Sequence, residues 1–211
     1  MDTHDTSGAP QSAQAHFKLA PERMPPLSDD KMSPDQKKAA AELIAGPRGE
    51  VKGPFVSLIR SPEFMRRVQK VGEYIRFVCP IDKRLNEFAA IIAARHWNQQ
   101  FEWWAHYRQA LEAGLDRKIA DAVGEGRRPT GMAEDEEIVY DLLTEVLQNK
   151  GASETTYARA VARFGEGGLI DIIGIAGYYA LLAMIMNVTR TAVPEGSPLP
   201  LAPLPIRMTA A

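Results

Sequence analysis

The chain has 211 residues, 45% of them hydrophobic, enough to bury the core of one large domain or two small ones. Its 25 basic and 27 acidic residues leave a formal net charge of -2 and an isoelectric point near 6.1, which argues against a dedicated nucleic-acid or anionic-membrane surface and for a small-molecule partner. The single cysteine, Cys79, excludes an intrachain disulfide, a CxxC redox pair and a cysteine-rich zinc site, and points to a reducing, cytoplasmic setting.

The first 25 residues carry two acids among the first five and no apolar run, so they read as a flexible arm rather than a signal peptide. Apolar positions then recur at three and four residues, with almost no alternation of strand type, which predicts an all-α protein. Ser33, Pro34 and Gln36 form a capping-box start for a helix to about Ile44, and GPRGEVKGP at 46–54 breaks it. Ser61 and Pro62 open a second helix, which Pro80 ends by disfavouring helix at Cys79.

In the next helix Leu85, Phe88, Ala89, Ile92 and Ala93 make a core stripe, with Glu87 beside it. RHWNQQFEWWAHYRQALEAGL follows, from 95 to 115, with Gly114 expected as its C-cap. A short helix at 116–125 and a Gly/Pro-rich turn lead to EDEEIVYDLLTEVLQNKG, acidic at its start and ending on Lys150 and Gly151 as the helix dipole prefers. SETTYARAVARFG and a 20-residue apolar helix, 169–188, complete the set. That last segment is long enough to cross a bilayer, yet Asp171 and the central glycines and tyrosines suit a helix buried in a bundle, and no membrane span is expected. The predicted organisation is the arm at 1–25, one helical domain at 26–193 and a Pro-rich tail at 194–211 that runs extended along the surface or across a neighbouring subunit.

Within the 95–115 helix Glu102 and His106 stand one turn apart on a shared face. In this reading Glu102 accepts from one imidazole nitrogen of His106 while the other meets a substrate. Such pairs are commonly solvated surface pairs, and the aromatic residues around this one, Trp97, Phe101, Trp103, Trp104 and Tyr107, suit core or interface as well as pocket wall. His96 has no spaced partner and reads as structural. The histidines and glutamates lack ligand spacing on one face, so no metal is expected.

GPRGEVKGPF, SPEF, RFVCPIDKRLNEFAAIIAARHW, FEWWAHYRQALEAGL and GLIDIIGIAGYYALL, in that order, resemble the carboxymuconolactone decarboxylase family over roughly residues 20–196. The resemblance implies an AhpD-like helical bundle, assembled as a homo-oligomer, a trimer or hexamer with a dimer as the smaller option. Its peroxidase branch carries a glutamate twelve residues before a CxxCxxxH motif, which maps to Glu87, Gln99, Glu102 and His106. With Gln99 and Glu102 at the cysteine positions, thiol peroxidase chemistry is expected to be absent. The ExxxH pattern of Glu102 and His106 matches the decarboxylase branch. It implies a cofactor-independent lyase acting on a carboxylated lactone from aromatic degradation, with His106, Glu102 and Glu87 catalytic. Alternatives are a redox protein of the peroxidase branch, a non-catalytic oligomeric binding protein, and another acid/base enzyme on the same scaffold. Gln99, Trp103 and Tyr178 are candidate substrate contacts. Arg84 is a candidate carboxylate clamp or a partner of Glu87, while Arg48 is better explained by its turn. Tyr179 and Asn187 stay ambiguous.

Overall fold

The structure, a computed structural model, describes residues 21–194 and 201–202. The described residues form eight α-helices: α1 (Pro34–Ala45), α2 (Pro54–Leu58), α3 (Pro62–Phe77), α4 (Lys83–His96), α5 (Gln100–Glu112), α6 (Arg117–Gly124), α7 (Glu134–Asn149) and α8 (Glu154–Thr189). A single 3-10 turn at Asp29–Lys31 precedes them, and there is no strand among the described residues. The short α2, which begins on the last residue of the 46–54 break, has no amphipathic repeat to announce it. It starts on Pro54 after Gly53, whose φ of 56° lets the chain turn where a Cβ would lie 2.4 Å from the Phe101 ring.

Local chemistry sets the helix ends. Ser33 accepts from the backbone N–H of Gln36, and the Gln36 side chain accepts from the Ser33 N–H, completing the capping box. Ser61 precedes Pro62 but makes no side-chain cap bond. Lys150, with φ of 66°, rather than Gly151, takes the left-handed position that closes α7. The two predicted C-terminal helices meet at a kink at Gly165, where φ 71° and ψ 171° is a conformation open to glycine alone, and α8 spans both.

Helix α4 is the axis of the bundle and packs against α5, α6, α7 and α8. Every residue from Leu85 to Arg95 is buried, so the expected stripe is a fully enclosed helix and Glu87 lies inside it, not beside it. The tight turn at 97–99, with Asn98 at φ 51°, folds α5 back along α4. Helix α8 has the length and composition of a membrane span, yet half of its most apolar window is covered by the bundle.

Most of the tail lies outside the described residues, as does most of the N-terminal arm. The described part of the tail differs from the surface strand expected. Leu201 is 2% exposed within its own chain, its N–H donates to Gln100 Oε1 at 2.9 Å, and its carbonyl accepts from Gln100 Nε2 at 2.8 Å. Arg95 Nη1 adds a bond to the Ala202 carbonyl. A glutamine side chain has a donor and an acceptor, so it satisfies the N–H and the carbonyl of Leu201 together.

Candidate functional site

The α4–α5 hairpin brings Glu87 and His106 together in the interior, 0% and 7% exposed. His106 Nδ1 lies 2.6 Å from Glu87 Oε2, and Lys83, one turn before Glu87, places its ammonium 2.5 Å from Oε1. Burial pushes the Glu87 carboxyl up, but the hydrogen bond and charge of His106, with Lys83 behind them, outweigh it and hold the group at about 2. An ionised carboxylate only accepts, so Nδ1 carries the shared hydrogen and Nε2 is left to exchange a proton with a ligand.

This geometry corrects the expected pairing. The partner of His106 is Glu87 from the neighbouring helix, and Glu102, 2% exposed, has both carboxyl oxygens without a hydrogen-bond partner among the described residues. Burial with no adjoining cation raises the Glu102 carboxyl well above the usual range, so it stays neutral and cannot stabilise a charged imidazole. Two buried carboxyls within one site thus sit in opposite protonation states, one an acceptor and the other a donor.

A cavity of about 670 Å³ opens on this group. His106, Glu102, Trp103, Tyr178 and Tyr179 line it, together with the apolar walls of Phe101, Trp104, Leu182 and Met186. The Tyr179 ring meets the His106 ring edge to face at 4.5 Å, which fixes the imidazole plane. Trp103 stacks on Tyr107 and fits over Gly124, where a Cβ would come within 2.9 Å of the indole.

Two other expected contacts fall elsewhere. Arg84 neither faces the cavity nor pairs with Glu87, and instead bonds Asp135 at 2.9 Å and Glu136. Lys83 occupies the i, i+4 position toward Glu87, and the next residue points about 100° further around α4, onto the acidic first turn of α7. Gln99 is the N-cap of α5, accepting from the Glu102 N–H at 2.8 Å and reaching Asn187 at 3.4 Å, and is not a cavity residue.

Arg48, which the sequence reading assigned to its turn, is one of the arginines that line the cavity. It donates to the Tyr178 hydroxyl at 3.1 Å, and Arg76 of α3 joins it in the wall. Arg76 passed unremarked because nothing in a helix repeat distinguishes a cavity arginine from a solvated one. Cys79 is not a cavity residue, and burial raises its thiol.

No family model matches the sequence, and no curated protein matches it either. Among solved structures, the chain resembles the crystal structure of a protein of unknown function from Agrobacterium tumefaciens, described as a candidate antioxidant defence protein AhpD. The superposition has a TM-score of 0.59 at 17% identity and covers 65% of this chain and 94% of that one. At that identity the likeness speaks for the fold alone, and the chain has an all-helical, AhpD-like fold.

Proposed function

We propose that the chain is a cofactor-independent lyase that removes CO2 from a small carboxylated lactone or a related product of aromatic-compound degradation. The observation that carries this reading is the buried Glu87–His106 pair beside a neutral Glu102 at the wall of one cavity. The ExxxH pattern of the decarboxylase-type motif supports it.

The chemistry follows from those protonation states. As the bond to the carboxylate carbon breaks, its electron pair moves through the conjugated double bond onto the lactone carbonyl oxygen, and CO2 departs neutral. The neutral Glu102 carboxyl donates a hydrogen bond to the dienolate oxygen, a role an ionised carboxylate cannot fill. His106 Nε2 delivers a proton to carbon as the carbonyl re-forms, and water restores it, so one proton is taken up for each CO2 released. Glu87 keeps the imidazole oriented and balances its charge throughout. The apolar walls keep water from protonating the dienolate unselectively. Thiol peroxidase chemistry has no footing in this cavity, since Gln99 and Glu102 replace the motif cysteines.

A panel of carboxylated lactones scored for CO2 release tests the proposal. At least one compound is turned over, and His106→Ala slows it by about 10²- to 10⁴-fold, the range for removal of a general acid or base. Release by no compound, or release indifferent to His106, overturns it.

A further inference from the structure

Five cations line the cavity; Lys52 and Arg108 pair with Glu50 and Glu112, and Arg117 bonds the Tyr107 hydroxyl, which leaves Arg48 and Arg76. Elsewhere in the bundle Arg66 pairs with Asp35 and Glu42, Arg84 with Asp135 and Glu136, and Arg159 with Asp141, while Arg60 and Arg95, outside the cavity and without a carboxylate, donate to backbone carbonyls. Arg48 and Arg76 have no carboxylate partner among the described residues. Arg48 bonds only the Tyr178 hydroxyl, Arg76 only Gln109 at 3.3 Å, and the Nε–H of each is buried with no acceptor. Their faces lie over Phe55 and Phe77, with guanidinium carbons 4.5 and 5.5 Å from the ring centroids, which leaves the in-plane edges to donate.

The acids around the cavity do not fill the gap. Glu102 pairs with neither arginine, while Glu50, Asp121 and Glu125 at the rim are engaged by Lys52, Tyr107 and Arg127. Two like charges held partly buried without a counter-ion are costly, and they mark a place where an anion completes the structure. Gly72 gives the second, independent sign. It is a buried glycine inside α3, where alanine serves a helix better by about 1 kcal/mol. A Cβ there would lie 2.1 Å from the Tyr178 hydroxyl and 2.3 Å from Arg48 Nη2, so the missing side chain is what lets the pair stand in the wall.

We propose that Arg48, Arg76 and Tyr178 form an oxyanion-binding subsite, kept open by Gly72, that grips a carboxylate of the substrate other than the one released. The identity of the gripped group rests on the decarboxylase reading, whereas the subsite itself does not. A carboxylate that departs as CO2 loses its charge, so a guanidinium bound to it opposes the reaction. A carboxylate retained in the product pays no such penalty and anchors the ring with parallel N–H donors.

Calorimetric titration of the full-length protein with succinate, inorganic phosphate and the neutral succinamide separates the outcomes. Succinate binds and succinamide does not; phosphate binding alongside succinate marks a general oxyanion site with the same residues. Arg48→Gln and Arg76→Gln each weaken succinate binding by about tenfold or more, the loss of a charge-assisted hydrogen bond. Gly72→Ala does the same without altering any charge. Arg108→Gln, which removes a cavity-lining charge already paired with Glu112, leaves succinate affinity within about twofold. Thermal melts of each variant confirm that the fold persists. Failure of the wild-type protein to bind either anion, binding indifferent to both Arg48 and Arg76, or equal loss in Arg108→Gln overturns the proposal. If succinate binds as described while no lactone releases CO2, the subsite stands and the decarboxylase reading falls.

Discussion

Replacing Glu87 by glutamine keeps the shape of the side chain and removes its charge. The carboxyl is held at about 2 against an ordinary 4.5 because its hydrogen bond with His106, the imidazole charge and Lys83 outweigh burial. At ~1.4 kcal/mol per pH unit, that interval corresponds to about 3 kcal/mol of native-state stability. Glu87 is 0% exposed, so solvent screening takes little from the figure. A depressed carboxyl stabilises the fold fully above pH 4.5 and loses that contribution as pH falls toward 2. Urea unfolding at pH 7 should therefore show Glu87→Gln about 3 kcal/mol less stable than wild type, or roughly 6–12 °C lower in Tm for a chain of this size. The gap should halve by about pH 3, where the wild-type carboxyl approaches its own titration. A gap under about 1 kcal/mol at pH 7, or one that does not narrow with acid, refutes the ionised, histidine-paired Glu87.

Glu102→Gln should have the opposite sign. The raised carboxyl of Glu102 costs stability as pH rises above the ordinary carboxylate range, so the uncharged amide is more stable than wild type at alkaline pH and the advantage shrinks in acid, while turnover falls; thermal melts across pH check it. Leu201→Ala should destabilise by about 2–4 kcal/mol in urea unfolding, the loss of a fully enclosed leucine, and a negligible change would remove the tail from the fold. The exposed apolar positions Val71 and Phe77 on α3, Val78 at its C-cap, and Ile170 and Val188 on α8 leave surface for a second copy to cover, so light scattering should report a homo-oligomer and not a 23.3 kDa monomer.

The helices were legible in the sequence because their signals are local. Ser33 with Gln36 set the start of α1, Pro80 lies just beyond the end of α3, and the acids before Ile138 mark the first turn of α7. Helix α2 was not legible, since five residues carry no repeat, whereas Gly165 was legible as the break within α8. At the site, spacing could place Glu102 and His106 on one face of α5 but could not say which side chain from another helix meets the imidazole. That choice is tertiary, as is the protonation of Glu102, which depends on having no cation beside it. Arg84 and Arg48 exchanged expected roles for the same reason. An arginine's partner is set by which helix terminus or cavity its long side chain reaches, and sequence distance does not encode that.

The most direct test of the account is decarboxylation carried out in D2O, with product analysed by mass spectrometry and NMR. The account predicts one deuterium at a single carbon of the product for each CO2 released, with one stereochemical outcome, and loss of that turnover in His106→Ala. Release of CO2 with deuterium scrambled over both faces of the carbon, or at an undiminished rate in His106→Ala, would contradict proton delivery by the buried pair.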